Sequence, residues 1–262
     1  LFFGDIVGQV GRNAVKHNIE KLVEKYQIDF VIANGENATH GKGLIEKHYN
    51  ELIDAGVDCI TLGNHYLSKN RIVDYIDNAT ALVRPLNITK KIGGQGSVLF
   101  EVNGQKIRVT NVLGTAFMKE EVSSPYESLK QELSYWEGED SIHIVDFHAE
   151  ATGEKMSFAY LFDCEVSAIV GTHTHVQTND AKILPGGTGF ITDVGMCGAA
   201  NGVLGFDKNT VISKTIFGSD TRFDIDKEDQ EMVNAVVIDV DDFTLKCREI
   251  FPIKIFGEKH DE

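Results

Sequence analysis

Seven side chains in this sequence offer oxygen or nitrogen donors, and each stands at the end of an apolar run. Asp5 follows Leu1–Phe3, Glu36 and Asn37 follow Asp29–Ala33, and Asn64 follows Val57–Leu62. His148 closes Ile142–Phe147, and His173 and His175 follow Ala168–Val170. Singly, each has an ordinary role: Asp5 as a helix cap or turn former, Asn64 in an Asx turn, His148 as a core histidine. Together they form a mixed N/O set of the kind that suits Mn, Fe or Zn. His173-Thr174-His175 is the sharpest pair, because alternate residues of an extended chain point the same way. The set exceeds the three protein ligands of a usual catalytic zinc, which argues for two metals with one carboxylate bridging. Two ions about 3.5–4 Å apart can clamp the attacking and leaving oxygens of an in-line phosphoryl displacement.

Donors scattered from Asp5 to His175 meet only if the runs before them are strands that end together. Open α/β sheets bind ligands beyond the carboxyl ends of their strands. Val15, Ile19, Leu22, Val23 and Tyr26 recur at helical spacing after the first run. Further helical stretches surround Leu52 with Ile53, and Ile72 with Tyr75 and Ile76, before a strand at Ala81–Val83. This alternation predicts βαβ units and a parallel sheet. Ser97–Val102 and Lys106–Val112 flank Asn103-Gly104, a two-residue hairpin signal. After a helical patch at Tyr126–Trp136, runs at Ile142–Phe147, Ala168–Val170, Phe190–Val194 and Val233–Val240 predict a second, partly antiparallel sheet. The expected fold is α/β, with two mixed sheets packed face to face and helices outside them, in one domain over residues 1–262.

Composition narrows the partners. The 262 residues carry 40 acidic and 25 basic side chains, a formal net charge of −15. Non-specific adhesion to nucleic acid runs on Lys and Arg, so it is not expected. An acidic protein that handles phosphate needs placed cations, and metal ions would supply them. No apolar run approaches the roughly 18–20 residues of a membrane span. Leu1 in first place leaves room for an initiator Met and a short leader upstream. Cys59, Cys164, Cys197 and Cys247 are scattered, which reads as reduced thiols of a cytoplasmic protein. Glu258–Glu262 reads as a solvated tail.

Motif order and wording resemble the calcineurin-like metallophosphoesterase superfamily, and within it the YmdB-like branch. The resemblance rests on Gly-Asp-Ile-Val-Gly (4–8), Asn-Gly-Glu-Asn-Ala-Thr-His-Gly-Lys-Gly (34–43) and Gly-Asn-His (63–65). Asp-Phe-His-Ala-Glu-Ala-Thr (146–152), Val-Gly-Thr-His-Thr-His-Val-Gln-Thr (170–178) and Ile-Thr-Asp-Val-Gly-Met (191–196) continue it over nearly the whole chain. The chain lacks the His that the wider superfamily carries two residues after Asp5, and has Glu36 where most relatives have Asp; both are usual in this branch.

The resemblance implies a four-layer αββα sandwich and 2′,3′-cyclic-nucleotide 2′-phosphodiesterase activity. A metal-bridged hydroxide would attack phosphorus. One metal would take Asp5, Glu36, Asn37 and His175, the other Glu36, Asn64, His148 and His173, with Glu36 as the bridge. Iron or manganese would suit the site best, with zinc or magnesium next. His65 would face the substrate and protonate the leaving oxygen or stabilise charge at phosphorus. Self-association is a further implication, and a small lobe over the site is expected at about 198–222.

Lys42 and Arg84 are weaker candidates for holding a substrate phosphate, since Gly41-Lys42-Gly43 lacks the spacing of a P-loop. Glu150 and Asp193 are expected to orient ligand histidines. Two other functions fit the same donors: a phosphomonoesterase of broad specificity, and a non-catalytic metal-containing regulator that binds nucleotide or RNA.

Overall fold

Phe2 and Phe3 are adjacent, fully buried, and belong to different apolar clusters. Alternate strand residues face opposite sides of a sheet, so two layers must cover this strand. Phe3 packs with Val15, Ile19 and Leu22 of helix α1 (Gly8–Tyr26) and Leu52 of α2 (Glu46–Asp54). Phe2 packs between the two sheets with Ile32, Ile144 and Val236. The computed structural model of the chain describes residues 1–226 and 230–257. The expected tail at Glu258–Glu262 lies outside them.

Strands are numbered along the chain. The first sheet runs β2 (Asp5–Ile6), β12 (Met196–Ala199), β13 (Glu231–Val240), β1 (Phe2–Phe3), β3 (Ile32–Asn34), β4 (Cys59–Thr61) and β5 (Leu82–Val83). β14 (Cys247–Phe256) pairs with the free side of β13. β1, β3, β4 and β5 are parallel, as the strand–helix alternation predicts. The Val233–Val240 run, expected in the second sheet, joins the first: β13 lies antiparallel to β1 through Phe2↔Val236. Its periodicity could not reveal this, because an apolar strand serves either sheet equally well.

The second sheet runs β10 (Lys182–Ile183), β11 (Gly189–Ile191), β9 (Ala168–Thr172), β8 (Ile142–His148), β7 (Gln105–Leu113) and β6 (Ser97–Val102). β7, β8, β9 and β11 are parallel, and β6 and β10 close the edges antiparallel. Asn103 and Gly104 turn the β6–β7 hairpin with φ of 52° and 81°, the two positive angles that a type I′ turn requires. On β8, Ile142 and Ile144 face the first sheet. Val145 and Phe147 face α3 (Pro125–Tyr135) and α4 (Thr152–Leu161), where Leu129 and Phe158 cover them. The layers are therefore helix, sheet, sheet, helix.

Smaller differences are local. The stretch around Ile72 makes one 3₁₀ turn, Asn70–Asp74. Gly198 lies inside β12, so only residues after Ala199 leave the sheet, and among them α5 (Lys208–Thr215) forms. Among the described residues no helix is long and apolar enough to cross a membrane. Cys59, Cys197 and Cys247 are buried, Cys164 is exposed, and all four are free.

Candidate metal centre

Parallel strands from both sheets bring their carboxyl ends to one crevice. β2 contributes Asp5, the turn after β3 contributes Glu36 and Asn37, and the turn after β4 contributes Asn64 and His65. From the second sheet, β8 ends on His148, and β9 is followed by His173 and His175. Asp5, Glu36, Asn37 and His148 are buried, while Asn64, His65, His173 and His175 are half-buried. Gly63 makes room for this convergence: a Cβ there would collide with Glu36 Oε2 and His148 Nε2.

The seven predicted donors meet in two groups that share one carboxylate. In the first, Asn37 Nδ2 lies 3.1 Å from Glu36 Oε1, 3.1 Å from His175 Nε2 and 3.4 Å from Asp5 Oδ1. In the second, His148 Nε2 lies 3.1 Å from the same Glu36 Oε1, 3.0 Å from Asn64 Oδ1 and 3.0 Å from His173 Nδ1. Donor atoms of Glu36, His148 and His173 all fall within 4.8 Å of one another.

The chemistry of this set suits a cation. Each imidazole presents its outward nitrogen to an oxygen: His148 Nδ1 to Thr172 Oγ1 at 2.8 Å, His173 Nε2 to Glu150 Oε2 at 3.0 Å, and His175 Nδ1 to the Leu204 carbonyl at 3.1 Å. Outward N–H groups leave inward lone pairs, the arrangement ligating histidines adopt. His173 Nδ1 and His148 Nε2 then face each other at 3.0 Å, a repulsive contact unless something positive lies between or beside them. One proton on His148 Nε2 cannot serve Glu36, Asn64 and His173 together, whereas a dication accepts them all. Asn37 joins such a set by turning its amide oxygen inward.

The electrostatics agree. Burial opposes charge on His148, yet the adjoining Glu36 carboxylate lifts it to about 9. Burial likewise opposes charge on Glu36, but His148 holds it well below the usual carboxylate range. Burial and the charge of His148 push His173 down to about 3. Burial raises Asp5. Glu36 and His148 thus favour a charged pair, whereas burial holds Asp5 and His173 toward their neutral forms.

Backbone contacts fix the carboxylates. Glu36 Oε2 accepts the His65 N–H at 2.8 Å, and Asp5 Oδ2 accepts the His173 N–H at 3.0 Å. His173 and His175 are not on an extended strand, as the alternation argument assumed. Their φ angles are 101° and 64°, left-handed values that cost roughly 1–3 kcal/mol each in non-glycine residues. The two imidazoles converge through a turn, and they serve different groups.

The weaker candidates separate. Lys42 is exposed, close enough for its charge to act on His65. Arg84 donates from Nε to the Gly93 carbonyl at 3.1 Å and from Nη1 to the Pro85 carbonyl at 2.8 Å, beside Tyr66. Glu150 orients His173 as expected, but Asp193 meets no imidazole among the described residues; it accepts the Thr174 N–H at 3.1 Å.

Four contributors escaped the sequence reading: Asp146, Thr172, Glu120 and the Leu204 carbonyl. Asp146 shares a strand face with His148, a period-two signal that was available. Glu120, 3.5 Å from Asn64 Nδ2, lies in a loop with no such signal.

Known proteins resemble the chain in sequence and in overall fold. Over 255 residues the chain is 44% identical to the 2′,3′-cyclic-nucleotide 2′-phosphodiesterase of Bacillus subtilis (strain 168), spanning 97% of this chain and 96% of that protein. The crystal structure of a phosphatase from Mycoplasma pneumoniae superposes with a TM-score of 0.92 at 42% identity, covering 99% of this chain and 93% of the other. A hypothetical protein from Thermus thermophilus superposes at 0.90 with 33% identity over 98% of both chains. The family described as YmdB-like protein matches residues 1–253, so this chain, with its metallophosphoesterase-type fold, belongs to the YmdB-like family.

Proposed function

We propose that the chain is a metal-dependent phosphodiesterase that opens 2′,3′-cyclic nucleotides and similar small phosphodiesters, working with two divalent ions. The observation that carries this reading is the shared carboxylate: Glu36 Oε1 lies 3.1 Å from both His148 Nε2 and Asn37 Nδ2. Asp5, Glu36, Asn37 and His175 would hold one ion, and Glu36, Asn64, His148 and His173 the other. Mixed imidazole, amide and carboxylate donors favour iron or manganese over harder ions. Ions bound there supply Lewis acidity at phosphorus and a water-derived nucleophile at neutral pH.

The chain's own groups handle the leaving side. His65 Nδ1 lies 3.2 Å from Ser68 Oγ, which leaves Nε2 to face the departing ribose oxygen. Burial disfavours charge on His65 in the free protein. An anionic phosphate beside it favours protonation, and the proton passes to O2′ as the P–O2′ bond breaks and a new P–O bond forms. The phosphate stays on O3′. Lys42 at the mouth supplies a cation for the incoming phosphodiester, while Arg84, held by carbonyl oxygens, is the lesser anchor. The substrate class follows the name borne by the Bacillus relative. Free thiols fit a reducing cytoplasm.

Elemental analysis of purified protein should find about two transition metals per chain. Chelation should abolish hydrolysis of bis-p-nitrophenyl phosphate, and Asn64→Ala or His148→Ala should do the same. Unaltered turnover in either variant refutes the reading. Faster hydrolysis of p-nitrophenyl phosphate would make it a monoesterase, and nucleotide binding with no product over hours would make it a regulator.

A further inference from the structure

We infer that the buried pair Lys155–Asp193 positions the His173-Thr174-His175 turn for metal binding. This inference rests on the metal reading of the site. Lys155 Nζ and Asp193 Oδ2 lie 2.7 Å apart, and both side chains are 1% exposed. Among the described residues, neither is hydrogen-bonded to the side chain of any of the seven donors, so the pair is a structural expense unless it does something for them. Taking two charges out of water is costly, and a well-packed apolar pair would often hold a fold equally well.

What the pair does is legible in the other contacts of the carboxylate. Asp193 Oδ2 also accepts the N–H of Thr174 at 3.1 Å, and Oδ1 accepts the N–H of Gly195 at 2.8 Å. Thr174 is the residue between two histidines whose φ angles are 101° and 64°. A turn with two left-handed non-glycine residues persists only where its surroundings over-determine it. Asp5 holds the His173 N–H, and Asp193 holds the next N–H along. Those two carboxylates therefore define the path that sends His173 into one donor group and His175 into the other.

Lys155 holds the Asp193 carboxylate in place through Oδ2. It comes from α4, the helix that follows His148 and Glu150, so the pair also ties that helix to the turn. Both carboxylate oxygens accept, Oδ2 from Thr174 and Oδ1 from Gly195. Asparagine offers one acceptor oxygen, and its amide group would face either the Thr174 or the Gly195 N–H.

The test uses Mn²⁺ alone, followed by titration calorimetry, with melting of the metal-free protein measured alongside. Asp193→Asn and Lys155→Met each leave a buried group without its partner, and both should melt lower. The double variant K155M/D193N removes both charges together. It should recover much of the lost melting temperature while binding Mn²⁺ at least about 10-fold more weakly than wild type, the range seen when partners of ligating residues are lost. Mn²⁺ affinity within about 2-fold of wild type in the double variant overturns the inference and leaves the metal reading intact. A wild-type protein that takes up no Mn²⁺ removes the metal reading itself, and this inference with it.

Discussion

Thr172 and His148 are register partners on neighbouring parallel strands and are also joined through their side chains. The Thr172 hydroxyl receives the His148 Nδ1–H at 2.8 Å and donates its own hydrogen to Asp146 Oδ1 at 2.6 Å. Asp146 lies two residues before His148 on the same strand face, so the strand pair carries a closed chain from carboxylate to hydroxyl to imidazole. Burial raises the Asp146 carboxyl to about 6, and the charge of His148, with hydrogen bonds from Thr172, Thr61 and Asn34, restrains it from rising further.

Replacing Thr172 with Val keeps the shape and removes the hydroxyl. His148 Nδ1–H and Asp146 Oδ1 then lose their partner, at a cost of about 1–3 kcal/mol of stability. Mn²⁺ affinity should fall about 10–100-fold. Thr172→Ser should stay close to wild type in both urea denaturation and calorimetry; a Val variant as stable and as tight for Mn²⁺ as wild type would show that the hydroxyl chain does not matter.

Gly63→Ala should damage the centre more than its size suggests. Its Cβ would collide with Glu36 and His148 together, so either the turn after β4 shifts or the donors part. We expect bound metal per chain to fall by at least half while the circular dichroism spectrum is retained. Full metal content in this variant would contradict the placement of Gly63.

His143 should make the fold sensitive to mild acid. It is buried with Nε2 2.8 Å from Thr110 Oγ1, and burial together with the Arg108 charge lowers it from 6.5 to about 3. Between those values the unfolded chain binds a proton that the folded chain refuses. Stability from this group is therefore complete above about pH 6.5 and is lost as pH falls toward 3. Going from pH 7 to 5 removes about 2 kcal/mol at about 1.4 kcal/mol per pKa unit. His143→Gln should flatten that part of the urea-midpoint curve, and an unchanged slope would exclude His143 as its source.

Much of the site was legible because donor residues after apolar runs are visible one run at a time. Asp5, Glu36, Asn37, Asn64, His148, His173 and His175 all reach the crevice. The basis for His173 and His175 was mistaken, since left-handed backbone, not strand alternation, brings them together. Asp193, expected to meet an imidazole, instead holds the Thr174 N–H and the Lys155 ammonium. Lys155 was invisible, because a lysine on a short helix reads as solvated unless its burial is known.

Taken alone, the sequence determined which side chains could bind metal and that strand ends would carry them, because both follow from residue type and local periodicity. Only the tertiary structure decided the distances within the two donor groups around Glu36, a division the family resemblance implies, and that β13 joins the first sheet. It also decided that a buried ion pair stands behind the histidine turn. Distances between groups remote in the chain come from how two sheets pack, and no local pattern encodes them.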